Sequence, residues 1–251
     1  MFDTATPSRA QELIDPFGAE LDQIGFSVAV DGGTVVAGAP TDDGRASNAG
    51  AVHVFADLPD SLLCGGVAAT QVGTAGDDTL TGTAGRDVIR GYGGDDTSSG
   101  LGGDVVICDD DGNDVVLGGP GDDTLFGEAG SDRLLPETGN DTAVGGTGSD
   151  IVDYLAADGP IHADPALGVV TYVPPGGPWT HTLVAVEKVD GTRFADTIRG
   201  DAKRNVLRGK QGVDQSWGGG GDDDLLIGGL LSHRGAFANV IDGGSGTDVC
   251  R

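Results

Sequence analysis

Aromatic side chains make up only 5% of the 251 residues, and hydrophobic residues of all kinds 37%. A chain so poor in large apolar groups cannot build a thick globular core. Glutamate is nearly missing: 35 of the 40 acidic residues are aspartate and 5 are glutamate. A generic solvated acidic surface would mix the two more evenly. Positive charge is thin, with 14 Lys and Arg and a formal net charge of −26. That balance excludes ordinary nucleic-acid binding, which needs clustered Lys and Arg, and it opposes adsorption to anionic membranes. No stretch of about 18 apolar residues is present to span a bilayer. Residues 1–10 lack the basic-then-apolar order of a secretion signal. Three cysteines occur, Cys64, Cys108 and Cys250, with no C-x-x-C pair, so a zinc or redox site of that type is excluded. An odd count leaves one thiol unpaired in an extracellular setting.

Catalytic signatures are missing too. There is no H-E-x-x-H and no G-x-S-x-G word. The four histidines, His53, His162, His181 and His233, share no ligand spacing and read as structural or solvent-exposed. The glycine runs at 118–121 and 218–221 are not phosphate loops, because no Lys-Ser/Thr follows them.

What the chain has is glycine, 47 residues or about 19%, against a usual share of roughly 7%. Low hydrophobicity and high charge alone would point to disorder. Order in the sequence points the other way. Cut every nine residues from Gly73, the chain reads GTAGDDTLT, GTAGRDVIR, GYGGDDTSS, GLGGDVVIC, DDDGNDVVL, GGPGDDTLF, GEAGSDRLL, PETGNDTAV and GGTGSDIVD, without insertion or deletion. These are rows 1–9. Position four is Gly in nine of nine rows. Position six is Asp in eight, with Val105 the exception. Position eight is Leu, Ile or Val in seven, with Ser98 and Ala143 departing. A second block reads GTRFADTIR, GDAKRNVLR, GKQGVDQSW and GGGGDDDLL over 191–226; after a seven-residue interruption it ends on RGAFANVID and GGSGTDVCR, rows 10–15. Adjacent Asp pairs recur with this period, which marks them as turn residues rather than acid/base pairs.

The pattern G-G-x-G-x-D-x-U-x, with U apolar, resembles the RTX or hemolysin-type calcium-binding repeat. The resemblance covers about 135 residues and implies an all-β fold, a parallel β-roll in which each row is a turn plus a short strand and two rows make one coil. It implies calcium as the cofactor, several ions, held by the position-six residues Asp78, Asp87, Asp96, Asp114, Asp123, Asp132, Asp141, Asp150, Asp196, Asn205, Asp214, Asp223, Asn239 and Asp248. It also implies a secreted, extracellular protein. Elementary physics agrees. Glycine permits left-handed turns, and rows n and n+2 stack at roughly 4.8 Å. Stacked like charges repel unless a divalent cation lies between them. Calcium suits carboxylate and carbonyl oxygens alike, at about 2.3–2.6 Å; magnesium, with its rigid octahedron, suits them poorly. Counting carboxylate pairs in rows n and n+2 gives five intact sites of seven in the first block, with weakness around Val105 and Asp104 as a partial substitute.

Residues 24–55 differ. IGFSVAV, TVVAGAP and GAVHVF read as antiparallel strands. Their words, Ile24-Gly25 and Gly38-Ala39-Pro40, resemble one FG-GAP repeat, a blade of the integrin-type propeller. One blade is too few for a propeller, so it is either a fragment or a small antiparallel cap. Its loop Asp42-Asp43-Gly44 reads as a polar turn, with a cation site as the alternative. The expected domains are a cap over 1–63, a first roll block over 64–153, a β spacer over 154–190 and a second block over 191–251. Strands are expected at 169–173 and 183–186, around the turn 174–177. RTX-like inserts of this kind end in words similar to Val186-Glu187-Lys188-Val189-Asp190-Gly191. The words Cys64-Gly65-Gly66 and Ile107-Cys108 resemble RTX segments in which a disulfide pins the cap. The pairing stays open, and Cys250 reads as a buried apolar residue at a U position.

Three functions remain in play: a non-enzymatic calcium-binding module that folds on binding; the carboxyl part of a secreted protease- or lipase-type enzyme; or a surface adhesin. A cell-surface or extracellular protein partner is left open.

Overall fold

The computed structural model describes residues 62–226 except 166, 173, 175 and 176, residues 239–251, and three strands before residue 56. It forms two compact units, residues 1–69 and 70–251. In the first, Ser27–Asp31, Thr34–Ala39 and Ala51–Phe55 make an antiparallel sheet in chain order. The Asp42-Asp43-Gly44 loop lies outside the described residues. A second antiparallel pair joins Leu63–Cys64 to Val67–Ala68. Its two turn residues, Gly65 and Gly66, both have positive φ, the tight hairpin geometry that glycine makes accessible.

The second unit is a parallel β-roll with two sheets. One contains, in spatial order, Thr79–Thr81, Thr97–Ser99, Val115–Pro120, Arg133–Thr138, Ile151–Asp153, Lys188–Asp190, Val206–Arg208, Asp224–Leu226 and Val249–Cys250. The other runs Gln71–Val72, Val88–Arg90, Val106–Cys108, Thr124–Gly130, Thr142–Gly148, Trp179–Val184, Val169–Tyr172, Ile161–Asp164, Thr197–Arg199, Gln215–Trp217 and Val240–Asp242. Rows alternate between the sheets, so partners lie 18 residues apart, as in Val88↔Val106 and Ile107↔Leu125. No helix among the described residues is long and apolar enough to cross a membrane.

The core is a narrow file of position-eight side chains. Ile89, Ile107, Val116, Leu125, Leu134, Val152, Ile198, Leu207 and Leu225 are fully or almost fully buried between the sheets. Most row strands are three residues long and the longest seven, so little else reaches inside. The insert keeps the stack going. Thr142 pairs with Thr182 and Ile151 with Lys188. Ile161–Asp164, Val169–Tyr172 and Trp179–Val184 form an antiparallel meander, the first of these unforeseen from sequence, that adds two extra strands to one sheet only. Its alternate residues Ile161, Ala163, Val170, Tyr172, His181 and Leu183 face inward, the period-two pattern of a half-buried strand.

Cys64 and Cys108 are disulfide-bonded, whereas Cys250 is free and exposed. The buried role expected for Cys250 is therefore corrected. It lies in the end strand of its sheet, paired on one side only.

The fourth-position glycine, present in all nine rows of the first block, has a stacking cause. A β-carbon on Gly94 (φ +107°) would strike the backbone of Gly76 and Asp77 in the coil below, whereas one on Gly76 meets nothing within 4 Å. Gly94→Ala should therefore destabilise the roll by at least about 1–2 kcal/mol from its left-handed φ alone. Gly76→Ala should be neutral or stabilise by up to about 1 kcal/mol. Thermal melts of the two variants check this contrast.

Candidate metal centre

Two hydrogen-bond ladders link successive turns and run in opposite senses. The position-six Oδ1 of row n+2 accepts from the position-six N–H of row n: Asp78 to Asp96, Asp96 to Asp114, Asp114 to Asp132 and Asp132 to Asp150, at 2.7–2.9 Å. The other side has Val105 to Asp123 and Asp123 to Asp141. The second block has Asp196 to Asp214, Asn205 to Asp223, Asp214 to Asn239 and Asp223 to Asp248. Position five reverses the direction. Asp95, Asp104 and Asp122 accept from the amides of Asn113, Asp122 and Asn140, one coil further on.

The second carboxylate oxygen divides the candidates. In Asp96, Asp114, Asp123, Asp132, Asp141, Asp150, Asp214 and Asp223 the Oδ2 is buried and has no hydrogen-bond partner among the described residues. In four rows the turn itself supplies a donor: Thr74 N–H to Asp78, Thr83 N–H to Asp87, Thr192 N–H to Asp196 and Asp201 N–H to Asn205. The difference follows the position-two backbone. Tyr92, Leu101, Asp110, Glu128, Glu137 and Lys210 have positive φ, as do Gly119, Gly146, Gly219 and Gly244. That conformation leaves the carboxylate uncapped. The self-closing rows are the first two of each block, which have no regular turn stacked before them. Asn239 and Asp248, in the last two rows, are only half-buried.

Beside six of the eight uncapped carboxylates, all but Asp114 and Asp141, stands a cradle that a first-position glycine leaves open. A β-carbon on Gly118 would lie 2.5 Å from Asp123 Oδ2 and 2.9 Å from the Pro136 carbonyl; one on Gly145 would sit 2.6 Å from Asp150 Oδ2 and hard against the Ala185 carbonyl. A carboxylate oxygen of row n and a first-position carbonyl of row n+2 thus converge. Two hard oxygens of this kind, repeated up the stack, fit a calcium ion, which takes carboxylate and backbone carbonyl together.

Departures from the repeat are informative. Val105 is buried in the core cluster, and its methyls occupy the place beside Gly100 that Oδ2 takes elsewhere. Asp104 does not replace it, being engaged in the position-five ladder. The insert supplies two position-six equivalents that sequence reasoning missed. Glu187 Oε2 accepts from Asp150 N–H at 3.0 Å. His181 stands above Asp141, fully buried, with Nδ1 3.1 Å from the Tyr154 hydroxyl and Nε2 3.5 Å from Asp141 Oδ2. The signal was present. T-H-T-L-V continues the phase of N-D-T-A-V, and V-E-K-V-D that of S-D-I-V-D. His181 is thus a buried, hydrogen-bonded residue, in keeping with the structural role expected of it.

Such columns define a cation-binding β-roll. The repeat segments match the RTX calcium-binding nonapeptide repeat over residues 72–107, 109–143, 137–153, 190–225 and 235–251. These segments cover more than half of the chain, which therefore belongs to that family. Residues 8–55 match the FG-GAP repeat. Both are repeat families, and neither match is to a catalytic domain. None of the curated proteins compared matches the chain.

Several cations of the chain pair away from the columns: Arg90 with Asp110, Arg133 with Asp153, and Arg208 and Lys210 with Asp190. Burial is then the first cause, and neighbouring carboxylates a further one, that raises Asp114 to about 7, Asp123 and Asp132 to about 6, and Asp141 to about 8. Asp96 and Asp150 are raised for the same leading reason. Burial pulls His181 down to about 4, so its ring is neutral at pH 7. Carboxyls whose folded pKa exceeds the ordinary 3.8 bind more protons folded than unfolded. Their stabilising effect on the metal-free roll is complete below about pH 4 and lost as pH rises through 6–8. In chelator, the far-UV β signal should therefore grow on acidification from pH 8 to about 4.

Proposed function

We propose that this chain is a non-catalytic, extracellular calcium-binding module whose roll folds when calcium fills the turns. The ions lie along one edge at Asp96, Asp114, Asp132 and Asp150, along the other at Asp123 and Asp141, and in the second block at Asp214 and Asp223. First-position backbone carbonyls share each site. Asp78, Asp87, Asp196 and Asn205 close on their own turns and contribute least. Asn239 and Asp248 complete the last coils.

The observation that carries this reading is the column of buried Oδ2 atoms without donors beside glycine cradles. A buried carboxylate with one oxygen unpaired costs free energy, and eight of them at net charge −26 oppose folding unless a cation is supplied. Metal binding then becomes folding free energy. Extracellular calcium modules work at about 10⁻⁴–10⁻³ M, which would keep such a chain open inside a cell and closed outside it. The FG-GAP match favours a surface-adhesive role as the second reading.

Calorimetric calcium titration of two variants tests the site assignment. Asp132→Asn should lower the number of bound ions by about one to two, because its carboxylate joins neighbouring coils. Asp87→Asn should change little, because that carboxylate is capped by Thr83. Equal effects would mean that the carboxylates act only as bulk charge.

A further inference from the structure

Two of the breaks in the repeat, in rows 3 and 5, meet in space. Row 3 places Ser98 at position eight, where a core aliphatic belongs. Row 5 opens on Asp109, where most rows have glycine. Both side chains are fully buried. They meet: Ser98 Oγ donates to Asp109 Oδ1 at 2.7 Å. The other oxygen, Asp109 Oδ2, has no hydrogen-bond partner among the described residues. The two departures, eleven residues apart in sequence, are one structural feature.

That feature faces the Asp96 site. A β-carbon on Gly91 would have three oxygens within 3.0 Å: Asp96 Oδ2, the Asp109 carbonyl and Asp109 Oδ1. Among the first-position glycines, Gly91 is the one whose nearest atoms include two carboxylates. Both Asp96 Oδ2 and Asp109 Oδ2 are buried and unpartnered.

We propose that Asp109 is an additional calcium ligand, a second carboxylate that Ser98 orients into the Asp96 site between rows 3 and 5. This rests on the calcium reading given above. A serine hydroxyl alone is poor compensation for a fully buried carboxylate. The charged groups that act on Asp109 are Asp114, Asp96 and Asp132, all of its own sign. A divalent cation converts that repulsion into attraction. It also explains Ser98, because a Leu or Ile at position eight would remove the one donor that fixes the carboxylate. Ligand charge count tunes calcium affinity, so this site, with one carboxylate more than its neighbours, is the tightest in the roll and the first to fill.

Calorimetric titration of calcium into the full chain tests this, with two variants beside the wild type. Asp109→Asn removes the charge and keeps the shape. The double variant Ser98→Leu, Asp109→Gly restores the repeat and its apolar core, so it folds even if the single variant does not. The wild type should show one site tighter than the rest, and both variants should lose it by about tenfold or more, as expected for removal of a charged ligand. Their circular dichroism at saturating calcium should match the wild type. Wild-type isotherms in both variants would overturn the proposal and leave the calcium reading standing, with Asp109 serving only as a partner for Ser98. No calcium uptake by the wild type would overturn that reading and this proposal with it.

Discussion

The roll depends on one electrostatic constraint: carboxylates of one sign are stacked at roughly the 4.8 Å strand spacing, in turns that exclude water. Desolvation raises the energy of each charge, and proximity raises it further. Hydrogen bonding cannot relieve this fully. In the stacked rows the position-six carboxylate receives an amide from the coil below through Oδ1, and in eight rows Oδ2 is left without a donor. The hydrophobic file along the axis is only one side chain wide per strand, so it offers little burial against the entropy of ordering the chain. On the proposed reading, calcium between coils supplies what the core does not.

Backbone conformation decides which turns can take part. A left-handed residue at position two turns its N–H away from the carboxylate, as at Glu128 and Glu137. An ordinary φ there, as at Thr74 or Thr83, lets the turn cap its own aspartate. The same dependence on a preceding coil governs the fourth glycine, which is crowded at Gly94 and unconfined at Gly76. Site formation and stacking are therefore one event. A turn with no regular coil before it closes on itself, and a turn inside a stack stays open towards its neighbour. On the proposed reading, such nearest-neighbour coupling makes filling cooperative along the axis.

Much of this was legible in the residues. Unbroken nine-residue phasing gave the roll, the alternation of edges and the position-six column, because a turn that stacks on its own copies needs the same residue at the same place. Three features were not legible. The capping at Asp78, Asp87, Asp196 and Asn205 depends on φ at position two, and Tyr92 or Leu101 gives no compositional hint of a left-handed backbone. Glu187 and His181 were hidden because the insert changes strand direction, although the strands that carry them regain the phase. Asp109 and Ser98 lie eleven residues apart in sequence, and only the stacking of row 5 on row 3 brings them together. Val105 was recognised as a break, and Asp104 beside it accepts the Asp122 amide in the opposite ladder.

The central claim is that metal binding and folding are a single step. Far-UV circular dichroism and small-angle scattering of the full chain, first in chelator at neutral pH and then through a calcium titration to millimolar levels, test it most directly. The account predicts an expanded chain with weak β signal in chelator, and a cooperative gain of β structure with contraction as calcium is added. A chelated sample with the same spectrum and radius as the calcium-saturated one would contradict it.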